Sequence, residues 1–305
     1  MLDLIIFLKS DGGNANSNDL TITISSIENT IGAVNYKYYF VLNAMQEQTI
    51  LDLIKLNILD QEKILEIKNS TASWAYEYNV FFDLYKDSTK YIITSHDDMI
   101  MRTSNFFNHS LELMKDKEKE IGWVTYTCDT FYREFGRPWG VSVRMGFAKD
   151  YNKWPYVYEC HKFNESYTKG RCMKFPNMFD MPKSGTLVKA HAPYTVFNLI
   201  SVESMKIIGP CEDWTPYTML IDEDWGLTAL KNNLWNIWIP DIFYTHPLVE
   251  HANRWEKEAH KGFIDKWGFD EAMLSKKQIE EIREKYKDTL VPWSSYYNTY
   301  DWQYL

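Results

Sequence analysis

Along this chain, short apolar runs alternate with stretches whose apolar residues recur at helical spacing. Leu2–Leu8 is almost continuously apolar and reads as a buried first strand. Asp11–Asp19, rich in Gly, Asn, Ser and Asp, reads as a loop. Leu20–Val34 begins with strand-forming residues but continues in a helical manner, and a helix is expected there. Tyr38–Leu42 predicts a second buried strand that ends at Asn43. Gln48–Leu59 has helix-like apolar density, and Ile64–Ile67 predicts a short third strand. Ser70 or Thr71 is expected to cap a helix whose Trp74, Tyr78, Phe81, Phe82 and Tyr85 share one face. Tyr91–Thr94, aromatic and β-branched, follows as a fourth buried strand.

Such alternation of strand and helix predicts an α/β fold: a single, mostly parallel central sheet with helices on both faces. Ligands of such sheets bind outside the carboxyl ends of the strands. Further along, Ser104–Lys115 reads as helix and Gly122–Thr127 as a fifth strand. Arg133–Gly185 is irregular and punctuated by Pro138, Pro155, Pro176 and Pro182. It is too long for a plain connection and reads as a functional insertion or a set of short strands. Pro193–Val202 returns to strand character, and Ser204–Ile208 is a short helix closed by Gly209-Pro210. Asp222–Asn232 opens acidic and becomes helical. Two strands, Ile237–Ile239 and Ile242–Tyr244, flank Pro240 and lead to His246. Val249–Leu305 is helical and charged, and it ends in the aromatic tail Trp293–Leu305.

Composition narrows the function classes. With 45% hydrophobic and 25% charged residues, a 305-residue chain has enough apolar surface for a packed globule. Aromatics reach 16%, which suits sites that hold rings as well as ordinary cores. A net charge of −9 argues against non-specific wrapping of nucleic acid, yet leaves nucleotide ligands open, since they need only a local positive site. The first apolar run is too short for a membrane span or a signal core. The cysteines, Cys128, Cys160, Cys172 and Cys211, contain no CxxC pair, so neither a zinc site nor a disulfide framework is indicated. GxGxxG and GxxxxGK[ST] are both absent, so neither a dinucleotide fingerprint nor a P-loop is present.

The chemistry-bearing residues lie near strand ends. After the fourth strand comes Ser95-His96-Asp97-Asp98. Adjacent carboxylates at the end of a buried strand are costly unless neutralised. A hard divalent cation does this, since it takes oxygen ligands and bridges to phosphates; a solvated strand cap is the plainer alternative. Asp222-Glu223-Asp224 opens a later helix, where acids also simply stabilise the dipole.

The order of these features carries a resemblance. The Asp pair comes first. Ile208-Gly209-Pro210 follows, and then Asp222-Glu223-Asp224-Trp225-Gly226-Leu227. The strand–Pro–strand unit ending in His246 is third, and Phe263-Ile264-Asp265-Lys266-Trp267-Gly268 last. Together they resemble the GT-A fold glycosyltransferases, in particular the large inverting, nucleotide-sugar-dependent family that includes polysaccharide enzymes. The resemblance covers roughly residues 1–250. It implies a glycosyltransferase domain over 1–250, with a nucleotide-sugar-binding half (1–127) and an acceptor half (128–250) holding the insertion 133–185. A helical and aromatic C-terminal extension would occupy 251–305.

The resemblance also implies roles. Asp97, Asp98 and His246 would hold Mn²⁺ or Mg²⁺, although Ser95 stands where a first Asp is frequent, so the acidic signature is one carboxylate short. Asp224 would be the general base for inverting transfer to a glycan hydroxyl, and Glu223 would assist it. Ser10, Asp11, Asn43 and Asn79 would contact the nucleotide; Trp225 would stack on the acceptor, or equally be a core residue of its helix. The implied partners are a nucleoside-diphosphate sugar donor and a glycan or glycolipid acceptor. The expected location is the cytoplasm, peripheral to a membrane where the acceptor is a glycolipid. A sugar nucleotidyltransferase and an inactive glycan-binding module remain as alternatives.

Overall fold

The computed structural model describes residues 1–10, 17–128, 140–141, 173–174, 184–190, 196–214, 221–246 and 257–267. The apolar runs of the first hundred residues all become strands: β1 (Leu2–Lys9), β2 (Tyr36–Leu42), β3 (Ile64–Asn69) and β4 (Thr89–His96). They lie in the order β3-β2-β1-β4, every neighbour parallel. The crossovers contain α1 (Ser17–Thr30), α2 (Ala44–Lys55) and α3 (Trp74–Tyr85). Strand periodicity divides β1 between two cores. Leu4, Ile6 and Leu8 join Leu20, Ile24 and Ile27 of α1 and Ile50 and Leu53 of α2. Ile5 and Phe7 join Trp74, Tyr78 and Phe81 of α3. Both faces of the strand are covered, which is why its sequence is apolar throughout.

The sheet continues through one antiparallel strand. After the short β5 (Ile100–Met101) and helix α4 (Phe106–Met114), β6 (Ile121–Cys128) enters the sheet. Beyond the two-stranded ribbon of β7 (Gly140–Val141) and β8 (Met173–Lys174) come β9 (Val188–Ala190), β10 (Phe197–Ser201) and α5 (Val202–Ile208). They are followed by α6 (Ile221–Lys231), β11 (Trp235–Thr245) and α7 (Lys257–Trp267). β10 sits antiparallel between β4 and β6, and β11 pairs parallel with β6. Both β5 and β9 add antiparallel to β11. The α/β class and the mostly parallel sheet are thus as expected, and the antiparallel strands described in this sheet all belong to its second half.

Three local expectations are corrected. α2 starts four residues early, because Asn43 caps it in a reciprocal capping box with Gln46. α3 is capped by Ser73, whose Oγ accepts from Tyr76 N at 3.0 Å, while Ser70 donates instead to Glu77. The two strands around Pro240 are one strand, β11, with a register shift between Ile239 and Phe243. Pro240 donates nothing to the ladder, but its carbonyl accepts from Thr127 Oγ1 at 2.7 Å. Most of the 133–185 insertion and the tail beyond Trp267 lie outside the described residues.

Close approach seats α6 on the sheet. A Cβ added at Gly122 of β6 would lie 2.8 Å from the Ala229 Cβ of α6. Gly122→Val is therefore expected to destabilise the protein by about 1–3 kcal/mol, the usual range for overpacking. Chemical denaturation would register this as a lower midpoint.

Candidate functional site

The carboxyl ends of the parallel strands carry the polar groups. β4 ends at His96, and the chain turns through Asp97 and Asp98. It then pairs back as β5 with the end of β11, Ile100 opposite Thr245 and Met101 opposite Tyr244. Arg102 reinforces this seam. Its backbone N–H donates to Phe243 O at 2.9 Å, and its Nε donates to Thr245 Oγ1 at 2.9 Å. This pairing delivers His246 to the Asp pair.

The result is a group of three. His96, Asp98 and His246 each offer a ligand atom, and these atoms lie within 4.8 Å of one another. His246 Nε2 is 3.1 Å from Asp98 Oδ1. All three residues are at most 8% exposed, so the Asp98 charge has little water to stabilise it. Two imidazoles and a carboxylate on one turn and one strand end form a donor set that can hold a divalent cation.

Asp97 is held elsewhere. Gln46 Nε2 of α2 donates to its Oδ2, and the Ser10 hydroxyl after β1 also hydrogen-bonds its side chain. Thr23 of α1 shares its hydroxyl between Asp97 O at 2.9 Å and Met99 O at 2.7 Å, pinning the turn from below. Burial, and next the neighbouring Asp98 charge, push the Asp97 carboxyl up to about 6. Ser95, in the frequent position of a first acid, is fully buried and donates its hydroxyl to His96 O at 2.8 Å. Among the described residues the group that could hold a metal thus contains His96 and Asp98, and neither Ser95 nor Asp97. His96 was the residue that sequence reading passed over. The signal was available: residues two apart at a strand end tend to share a side.

Asp224 occupies the first turn of α6 and is 1% exposed. Its Oδ1 accepts from Trp267 Nε1 at 2.8 Å. Lys266 Nζ spans both oxygens, 2.9 Å from Oδ1 and 3.1 Å from Oδ2. Burial raises its pKa above the ordinary 3.8, although Lys266 and Trp267 act against the rise. The Lys266 ammonium is held above its usual value: burial works to lower it, but Asp224 and Glu212 outweigh that effect. Glu223 lies in the same helical turn, with its side chain outside the described residues, as is the whole of Asp11.

Three expected contact residues are already engaged. Trp225 is a core residue and not an acceptor platform. Its ring stacks on Trp123 at 4.4 Å and meets Trp74 and Tyr78 edge-on, which leaves it 1% exposed. Asn79 clamps the backbone of Cys211 in both directions, donating to its carbonyl and accepting from its N–H at 2.8 Å each. The Asn43 side-chain oxygen is taken by the α2 cap, though the residue remains exposed at the sheet edge. Among the described expected nucleotide contacts, Ser10 hydrogen-bonds the Asp97 side chain.

No family model and no curated protein sequence matches the chain. Solved structures do. GalNAc-T7, solved with UDP, GalNAc and Mn²⁺, superposes with a TM-score of 0.56 at 9% identity, covering 94% of this chain and 55% of its own. TarS of S. aureus matches with a TM-score of 0.46 at 10% identity, covering 81% of this chain and 37% of its own. The present chain thus spans about half of the first and just over a third of the second. The fold is that of the GT-A glycosyltransferases, an α/β fold with a mostly parallel central sheet.

Proposed function

We propose that this chain is a glycosyltransferase that moves a sugar from a nucleoside-diphosphate donor to a hydroxyl of a glycan or glycolipid, with inversion. The observation that carries this reading is the His96–Asp98–His246 group at the carboxyl edge of a GT-A sheet. These residues would hold a divalent cation, whose chemistry when bound is to neutralise charge on the diphosphate leaving group. Two imidazole nitrogens with one carboxylate favour Mn²⁺ over Mg²⁺, which prefers oxygen. The Mn²⁺ and UDP of GalNAc-T7 agree with that choice. Ser10 and the exposed Asn43 line the nucleotide side of the same edge.

Asp224 is the base in this reading. Its carboxylate takes the proton of the acceptor hydroxyl as that oxygen attacks the anomeric carbon. The bond from the anomeric carbon to the diphosphate breaks on the opposite side, and the diphosphate leaves with the electron pair. Glu223, one residue earlier on α6, would hold a neighbouring acceptor hydroxyl. The domain limits that follow are a transferase domain over 1–250 and a C-terminal extension over 251–305. Among the described residues, no helix is long and apolar enough to cross a membrane.

The test is release of nucleoside diphosphate from a panel of UDP-hexoses and UDP-N-acetylhexosamines, with and without Mn²⁺. Simple glycosides serve as acceptors, and proton NMR reads the anomeric configuration of the product. Metal-dependent release with an inverted product is expected. A retained configuration would overturn the role of Asp224. Pyrophosphate release from a nucleoside triphosphate, with no turnover of any nucleotide-sugar, would point to a nucleotidyltransferase.

A further inference from the structure

The motif Lys266-Trp267 belongs to the stretch expected to form a C-terminal extension, and the metal triad gives it no part. Its place in the fold is specific. α7 lies against the loop that follows α5, where a Cβ added at Gly262 would fall 2.5–2.7 Å from the Trp214 indole. Phe263 meets the same indole edge-on at 6.0 Å and is fully buried. Lys266 is tied to that loop through Glu212 Oε1 at 2.9 Å. The loop is in turn fixed to α3 by the Asn79 clamp on Cys211. Two consecutive residues of a docked helix thus reach one carboxylate, Trp267 on Oδ1 and Lys266 across both oxygens.

We infer that Lys266 and Trp267 are positioning residues for Asp224, orienting its carboxylate and keeping it ionised in a buried setting. The inference rests on the reading of Asp224 as the base. A carboxylate has about four acceptor positions. The indole and the ammonium fill part of that capacity and leave room for an acceptor hydroxyl. Without the cation, a carboxyl so deeply buried would hold its proton to higher pH and fail as an acceptor near neutrality. The other charged groups oppose Lys266. Glu212 faces Asp224 from the loop, Asp213 lies beside it, and Asp222 and Glu223 lie on α6 itself. The Cys211 thiol, pushed up by burial and by Asp224, stays neutral. Lys266 is the cation that contacts Asp224 among the described residues.

Two measurements test this. The first is the Asp224 carboxyl titration, followed by ¹³C NMR in aspartate-labelled protein and identified by its absence in Asp224→Asn. The second is the acid limb of kcat/KM for release of UDP from the best UDP-sugar. Lys266→Met is expected to move both upward by about one pH unit or more, the scale of losing an adjacent opposite charge. Lys266→Arg should restore both. Trp267→Phe keeps the charge and should give a smaller upward shift. Gly262→Val changes no ionisable residue but displaces α7, and Lys266 with it, from Trp214, and should shift the limb in the same direction.

An unchanged titration and limb in Lys266→Met would overturn the inference. So would faster turnover, since Lys266 would then obstruct the base rather than prepare it. Should Lys266→Met fail to fold, Trp267→Phe and Gly262→Val decide by the same readouts. Full activity in Asp224→Asn would instead remove the reading of Asp224 as base. A dead Asp224→Asn with a wild-type limb in Lys266→Met would remove the positioning role alone.

Discussion

Asp224→Asn is expected to lower turnover of a nucleotide-sugar by ~10²–10⁴-fold, the usual contribution of a positioned general base. Asparagine keeps the volume and can still accept from Trp267 Nε1, so folding should survive while the proton acceptor is lost. The pH dependence gives a sharper check. Activity requires the ionised carboxylate, so kcat/KM falls as pH drops through the Asp224 pKa. Because burial raises that pKa above 3.8, the limb should lie above the ordinary carboxylate range. The variant should show low activity with that limb gone. The sign for stability is the reverse of that for an acid whose folded pKa is lowered, because burial outweighs the Lys266 contact here. Folded Asp224 retains its proton where the unfolded chain has lost it, so this group's contribution to stability declines as pH rises from 3.8 through the raised value. A variant that keeps the wild-type limb would assign the proton transfer to another group.

Much of the architecture was legible because burial on both faces writes itself into sequence. β1, β2, β4 and β6 are apolar runs, and both cores take alternate residues from them. α1 was harder to read. Thr21, Ile22, Thr23 and Ile24 are strand-forming types, but the buried residues Leu20, Thr23, Ile24 and Ile27 follow helical spacing and tertiary packing decides. The strand direction of β10 left no trace in its composition, because an antiparallel strand in the middle of a covered sheet is as apolar as a parallel one.

The site was legible as a location more than as a set of contacts. Polar residues at strand ends are expected to share one edge, since in an α/β sheet that edge is where irregular backbone gathers, and Ser10 and His246 do reach Asp97 and Asp98 respectively. Which carboxylate meets His246 depends on the turn after β4 and on how β5 returns to β11, and neither is written in the residue types. Asn43 and Asn79 show the same limit from another side. An amide that caps a helix and one that clamps a loop look like ligand contacts in sequence, because side-chain amides serve backbone and ligand equally well. Trp225 is the converse case. An aromatic beside a pair of acids suggests a sugar platform, but the helical turn that points Asp224 toward α7 sends the next residue into the Trp74–Tyr78–Trp123 cluster.

The other large effect is expected at the His96–Asp98–His246 group that could hold a metal, where the two aspartates should separate. Asp98→Asn and His246→Ala each remove one of three grouped ligands. Each should weaken Mn²⁺ binding, measured calorimetrically, by more than the ~10–100-fold that loss of a mere outer partner costs. Turnover should fall on the order of 10³-fold, since a bound cation contributes several kcal/mol against developing charge and each 1.36 kcal/mol is a factor of ten. Asp97→Asn alters a residue bonded to Gln46 and Ser10 and outside the triad. It should retain Mn²⁺ with a much smaller loss, although the nearby negative charge is reduced. Added chelator should reproduce the Asp98→Asn phenotype in the wild-type protein, and Mn²⁺ should reverse it. If Asp97→Asn loses the metal as completely as Asp98→Asn, the cation is held by the Asp pair itself and the two histidines are not its ligands. If neither substitution changes Mn²⁺ binding, leaving-group stabilisation must come from elsewhere, with Arg102 at the adjoining seam as a cationic side chain to test next.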